Sequence, residues 1–278
     1  MANLNKVNGQ EKLLIFMHIP KTGGTSLSLI ASRQYEPKSF RMVQAYQEKA
    51  DELKKVLDED REAKVKAIAT HLGWGFHEML SRPSTHITML REPVDRVISH
   101  YYHTCRIKGS MSMEEFVMND LERSYNLQTR YLSGTEFNRQ IADKSIAYGD
   151  CTSQILESAK NNLEKYFCFG IMEKYDESLI LLSTAVGWKF SNVFYRAKSN
   201  VSVNRILENK QISQDDLALI KKYNEWDIEL YKYALKVFED KMNSLSFGNR
   251  YKLNTFIALN SFYRQTYLAF KSVVCKFK

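Results

Sequence analysis

The chain is short of the features that mark several protein classes. It has four cysteines, Cys105, Cys151, Cys168 and Cys275, in 278 residues. No two stand in C-x-x-C spacing and none has a histidine at zinc-ligand spacing, so no zinc site is expected. They read as reduced structural thiols in a reducing compartment. No apolar run is long enough to span a bilayer. The first six residues, Met1 to Lys6, lack the apolar core of a signal peptide. There is no internal repeat and no low-complexity linker. There is also no Walker A loop. That motif needs a glycine immediately before its lysine and another five residues earlier, where this chain has Pro20 and Ile15 around Lys21. No apolar strand is followed by the aspartate that would hold magnesium in such an enzyme. Finally, no carboxylate side chain follows Asp240.

What is present describes one large α/β domain. Hydrophobic residues make up 44% and charged residues 26%, a globular balance rather than a disordered one. The net charge of +8 suits an anionic cofactor, a glycan, nucleic acid or a membrane face without choosing among them. The stretch from Leu13 to Ser26 organises the rest. Leu13 to Met17 is a continuous apolar run, the pattern of a strand buried on both faces. Pro20 ends it, and Lys21, Thr22, Gly23, Gly24, Thr25 and Ser26 precede a helix that takes up at Leu27. Strand, glycine turn and helix N-terminus together bind anions, because close backbone, unpaired N–H groups and the helix dipole converge there.

Further strands are expected at Val65–His71, Thr85–Arg91 and Phe167–Ile171, alternating with helices. A charged helix is read from Gln47 to Glu62, a helix from Asp176 to Val186 ended near Gly187, and one long helix from Asp215 to about Met242. The alternation predicts a mainly parallel sheet covered on both faces, a three-layer α/β/α fold with a helix-rich C-terminal half. Residues 1–12 read as a loose tail, 13–245 as the domain and 246–278 as a basic, aromatic amphipathic segment. That last segment either packs on the domain as a helix or lies on an anionic membrane surface.

A second anion site is expected where Arg91 closes the third strand. A guanidinium there and the hydroxyl of Ser99, on the following helix, can hold a phosphate monoester. Arg96 and Asp95 read as helix and surface bonding. Among six histidines, His71 closes the second strand and should face the same crevice as Lys21 and Arg91, which makes it the expected general base, with His77 next.

His18-Ile19-Pro20-Lys21-Thr22-Gly23-Gly24-Thr25-Ser26 resembles the 5′-phosphosulfate loop of sulfotransferases that use 3′-phosphoadenosine 5′-phosphosulfate (PAPS), in the branch with heparan sulfate 2-O-sulfotransferases and bacterial relatives. Arg91 and Ser99, eight residues apart, resemble that family's 3′-phosphate element, and His71 its catalytic histidine. The resemblance runs over about residues 13–243. It implies a P-loop-like fold and PAPS as co-substrate, with Lys21, Thr22, Gly23, Gly24, Thr25, Ser26, Arg91 and Ser99 binding it. Lys21 and His71 would be catalytic, and the acceptor a hydroxyl of a carbohydrate or similar molecule. No metal is implied, since a sulfonate carries less charge than a γ-phosphate. Family members of the animal Golgi are membrane-anchored, and this chain shows no such anchor. A bacterial-type cytoplasmic enzyme is therefore expected, peripheral to the inner membrane surface if the basic segment binds lipid. No nucleic acid is expected as partner, since no named nucleic-acid motif is present. Two rival readings are a P-loop-type phosphotransferase and a nucleotide- or glycan-binding module without catalysis.

Overall fold

The computed structural model of the protein describes residues 6–7, 10–43, 50–195 and 212–274. The elements in order are β1 (Lys6–Val7), β2 (Gln10–Glu11), β3 (Leu13–Met17), α1 (Gly24–Ser32), β4 (Phe40–Val43), α2 (Ala50–Arg61), β5 (Ala67–Thr70), β6 (Ser84–Leu90), α3 (Pro93–Lys108), α4 (Met113–Asn119), α5 (Leu121–Ser124), α6 (Leu127–Ser133), α7 (Thr135–Ala142), α8 (Ser153–Tyr166), β7 (Phe167–Ile171), α9 (Tyr175–Val186), α10 (Gln214–Tyr223), α11 (Glu225–Asn243) and α12 (Phe247–Val274).

Five strands form one sheet in the order β4-β5-β3-β6-β7. Every pairing in it is parallel. The apolar run of β3 follows from its central place. Leu14 and Phe16 face Leu27 and Ile30 of α1, Leu179 of α9 and Phe256 of α12. Leu13 and Ile15 face Val56 of α2 and Phe137 of α7 on the other side. Met17 continues that second side into the cluster of α6, α8 and α11. Three layers result, as the alternation of strands and helices implies.

The register is what builds the site. Met17 lies opposite Thr70 of β5 and Thr88 of β6. The residues just past these strand ends, His18, His71 and Arg91, therefore emerge on one edge of the sheet. This is the carboxyl edge, where open parallel sheets place ligands.

Several expectations change. β4 is a four-residue strand at the sheet edge that the sequence reading passed over. The start expected for α2, at Gln47, falls outside the described residues. The long helix expected from Asp215 is two, because the carboxamide of Asn224 leaves the helix to donate to the carbonyls of Ser124 (2.7 Å) and Ile220 (2.9 Å). Arg96, read as a surface residue, is fully buried. It donates to the carbonyl of Arg123, and the carboxylate of Asp227 provides its counter-charge.

In the C-terminal segment α12 packs on the domain through Leu253, Phe256 and Asn260. Asn260 accepts from the backbone N–H of Tyr195 (3.0 Å). Lys252 reaches Thr184, and Arg264 lies over the ring of Tyr195. Phe247, Tyr251 and Phe262 point outward, Phe247 being 87% exposed. Cys105, Cys151 and Cys168 are free thiols. Cys275 lies outside the described residues.

Candidate active site

The loop after β3 is held in its shape by its own atoms. Thr22 is buried and its hydroxyl donates to the carbonyl of Ile19 (2.9 Å). Lys21 and Gly23 both take positive φ, 71° and 85°. Gly24 opens α1 with the ring of His18 directly upon it. A Cβ at Gly24 would lie 1.9 Å from His18 Cδ2, so only glycine fits this contact. Among the described residues no side chain caps α1, and no acidic residue stands in its first turn. Its N–H groups and positive dipole end are left for an anion.

Above this loop lies a cleft of about 560 Å³ lined by His18, Lys21, Gly23, Gly24, Thr25 and His71, and across from them by residues of α3 and the segment around α5. The loop hydroxyls do not all serve it. Thr25 is exposed to the cleft, whereas Thr22 is turned inward and Ser26 is buried against the hydroxyl of Tyr175. Three hydroxyl donors were expected; one faces the cleft.

His71 has a defined tautomer. Its Nδ1 lies 2.8 Å from the carbonyl oxygen of His18. A carbonyl only accepts, so Nδ1 carries the proton and Nε2 keeps its lone pair. Burial lowers the His71 pKa below the usual 6.5, and the bond to His18 opposes this. The imidazole is thus neutral at neutral pH. Gln140 pins the segment, donating to the carbonyl of His71 (3.0 Å) and accepting from the N–H of Gly73 (3.1 Å). The His18 ring stacks beside His71, centroids 4.4 Å apart. Burial, His71 and Lys21 push the His18 pKa down to about 3, so His18 stays neutral as well.

Lys21 is the cation of the cleft floor. Burial, then Arg106 and Arg91, lower its pKa to about 8. It remains mostly charged at neutral pH and is primed for an anionic partner. Arg91 is tied to the same loop, its guanidinium donating to the carbonyl of Lys21 (3.1 Å). Ser99 is half-buried on α3, one residue before His100. Neither Arg91 nor Ser99 lines the cleft itself; the cleft takes His100, His103 and Arg106 from α3 instead. His100 and His103 were among the six candidate histidines on the sequence but were given no role, and Arg106 was not singled out. The successive steps of four, three and three residues from Arg96 through His100 and His103 to Arg106 were the available signal for a shared face.

His77 is elsewhere. It stacks on Trp74, centroids 4.1 Å apart, and against His86 at 5.1 Å. It does not line the cleft. Among the described residues no group of three or more His, Cys, Asp or Glu is placed to hold a metal ion. No helix among them is long and apolar enough to cross a membrane.

The chain is similar to several known proteins. Heparan-sulfate 6-O-sulfotransferase 3 of Homo sapiens is 23% identical over 286 residues, which cover 82% of this chain and 58% of that protein. Heparan-sulfate 6-O-sulfotransferase 2 of Danio rerio is 24% identical over 190 residues, covering 57% of this chain and 39% of that one. Heparan sulfate 2-O-sulfotransferase 1 of Xenopus laevis is 20% identical over 271 residues, covering 83% and 71%. The chain thus spans 39% and 58% of the length of these 6-O relatives. Among solved structures, a sulfotransferase from Alicyclobacillus acidocaldarius matches with a TM-score of 0.41 at 14% identity, over 79% of this chain and 96% of that one. A mouse sulfotransferase complexed with PAP matches with a TM-score of 0.39 at 14% identity, over 92% and 87%. The model of the Sulfotransferase family matches residues 6–234. That span takes in the loop, His71, Arg91 and Ser99, and by it the chain belongs to the sulfotransferase family.

Proposed function

We propose that the protein moves a sulfuryl group from PAPS to a hydroxyl of a carbohydrate or glycoconjugate. The observation that carries this reading is the pairing, in one cleft, of a neutral histidine with its Nε2 free and a lysine on an anion-binding loop. The loop fits the 5′ end of such a nucleotide: two glycines that bring backbone close, uncapped N–H groups and Lys21. PAPS, when bound, supplies the sulfur electrophile and its leaving 5′-phosphate. The chain's residues do the rest. His71 Nε2 takes the acceptor's proton as the acceptor oxygen bonds to sulfur. Lys21 and the first N–H groups of α1 neutralise the electron pair that the breaking S–O bond leaves on the phosphate. The 3′-phosphate is assigned to Arg91, which is bonded to the loop carbonyl of Lys21, and to Ser99, both beside the cleft rather than in its lining.

The printed names of the relatives, which are heparan sulfate sulfotransferases, support a carbohydrate acceptor. Transfer of label from PAPS across a panel of glycans and lipid-linked sugars tests the reading. Absence of transfer, together with no stabilisation by adenosine 3′,5′-bisphosphate, would overturn it. The reading also puts the protein in the cytoplasm, with α12 meeting an anionic membrane surface. Outward Phe247, Tyr251 and Phe262 support that contact. Sedimentation with phosphatidylserine vesicles in low salt tests it, and protein left in the supernatant rejects it.

A further inference from the structure

Arg91 is the first residue beyond β6, where the ladders have ended. The last pairings of β6 are Thr88 with Met17 on one side and Leu90 with Ile171 on the other. At this place a side chain from another element takes the role of a strand. The carboxamide of Gln128, on α6, accepts from the backbone N–H of Arg91 (2.9 Å) and donates to its carbonyl (2.9 Å). Each partner fixes which end of the amide is oxygen and which nitrogen. Gln128 is 1% exposed. A buried carboxamide is costly unless both ends are satisfied, and here both are satisfied by one residue.

Gln128 is itself anchored. The carboxylate of Asp227 accepts from the backbone N–H groups of Gln128 (3.1 Å) and Thr129 (2.7 Å) at the start of α6. A continuous set of hydrogen bonds therefore runs from α11 through α6 to the backbone of Arg91. From there the Arg91 guanidinium reaches the carbonyl of Lys21.

We infer that Gln128 is a positioning residue: it grips both backbone groups of Arg91 and so sets where the guanidinium meets the 3′-phosphate. This rests on the reading of Arg91 given above. Glutamine suits the task because it offers one donor and one acceptor in a plane, at the reach of a strand partner. A residue needed only to pack α6 against the sheet end could be an aliphatic one. Leucine or methionine would fill the space and leave Arg91 ungripped.

The test compares two nucleotides in the full chain. Calorimetry gives the ratio of affinities for adenosine 3′,5′-bisphosphate and adenosine 5′-phosphate in the wild type, Arg91→Ala and Gln128→Met. In Gln128→Met the preference for the bisphosphate should fall roughly 10–100-fold, the loss expected when a binding group is displaced by about an ångström. The affinity for adenosine 5′-phosphate should fall far less. A loss of packing alone would lower both affinities together and leave the ratio standing. A wild-type ratio in Gln128→Met, with the ratio lost in Arg91→Ala, overturns the inference and spares the reading of Arg91. A wild-type ratio in Arg91→Ala removes the reading and the inference with it. Should Gln128→Met not fold, Gln128→Glu decides by the same ratio, because it keeps the shape and the acceptor and loses the donor.

Discussion

Asn126 and Asp227, 101 residues apart in the chain, cap each other's helices. The side-chain oxygen of Asn126 accepts from the N–H groups of Trp226 and Asp227, at the start of α11 (both 3.0 Å). The carboxylate of Asp227 accepts from Gln128 and Thr129, at the start of α6. Two buried helix N-termini thus satisfy their orphan donors reciprocally. Asp227→Ala would leave two buried N–H groups without acceptors and Arg96 without its counter-charge. It should cost about 3–5 kcal/mol in urea unfolding, the usual cost of stranding a buried charge. A loss below about 1 kcal/mol would mean that water reaches these groups.

The base is separable from the nucleotide. His71→Ala should lower turnover roughly 10²–10⁴-fold, the usual contribution of a general base, while titration with adenosine 3′,5′-bisphosphate gives wild-type affinity. His77→Ala, altered outside the cleft, should keep turnover near that of the wild type. The reverse pattern would return the role to His77.

Lys21 and His71 together set the pH profile of kcat/KM. The rate should rise as His71 loses its proton, at a pH below the usual 6.5 because burial lowers its pKa. It should fall again as Lys21 loses its charge near pH 8. Lys21→Arg keeps a charge at all working pH values. Its profile, at a lower maximum, should lack the alkaline limb. An unchanged limb in that variant would assign the ionisation to another group.

Gly24→Ala tests the contact between loop and base. The new Cβ would fall 1.9 Å from His18 Cδ2, so the His18 ring, whose centroid lies 4.4 Å from that of His71, must shift. Overpacking of this kind costs about 1–3 kcal/mol. Thermal unfolding and kcat should both drop, and wild-type values for both would show that the His18 ring relocates freely.

Acid should weaken the fold before the carboxylates titrate. His86 and His100 are buried, and burial first, then neighbouring positive groups, hold their pKa values at about 3 and about 2. In the unfolded chain they bind protons near 6.5. Their contribution is thus intact above pH 6.5 and is lost progressively as pH falls below it toward those values. Each adds at most about 1.4 kcal/mol per pH unit to the loss. His86→Phe should flatten the fall in melting temperature between pH 6.5 and 5. An identical slope would mean that His86 is protonated in the folded protein.

Much of the sheet and the loop could be read directly from residues. β3, with both faces covered, has to be apolar throughout, and a lysine with two glycines before a helix has few other uses. Arg96 was misread because its counter-charge, Asp227, lies more than a hundred residues away, and periodicity carries no information about such a partner. Gln128 was passed over for the same reason: its value lies in the backbone it meets. The break at Asn224 did leave a local sign. Asn224 followed by Glu225 and Asp227 is a helix start, set inside an apolar pattern that ran on without interruption. β4, Phe40-Arg41-Met42-Val43, has one basic residue among three apolar ones, and four positions are too few to define a period. The hydroxyls of Thr22 and Ser26 are of the right type, but the turn that orients them inward depends on the positive φ of Lys21.

The sheet has a history as well as a shape. Its middle strand, β3, is the first of the five to leave the ribosome, and its neighbours β5 and β6 begin only at residues 67 and 84. At 5–20 residues per second, synthesis from residue 17 to residue 90 takes roughly 4–15 s. Five consecutive apolar residues have both edges open until β5 is made and one edge open until β6 is made, the condition in which strands pair with the wrong chain. Helices formed early cannot shield β3 until β5 and β6 flank it, so folding is slow where pairing is most distant. Soluble yield should therefore respond to slower translation and to holding chaperones more than to changes on the finished surface.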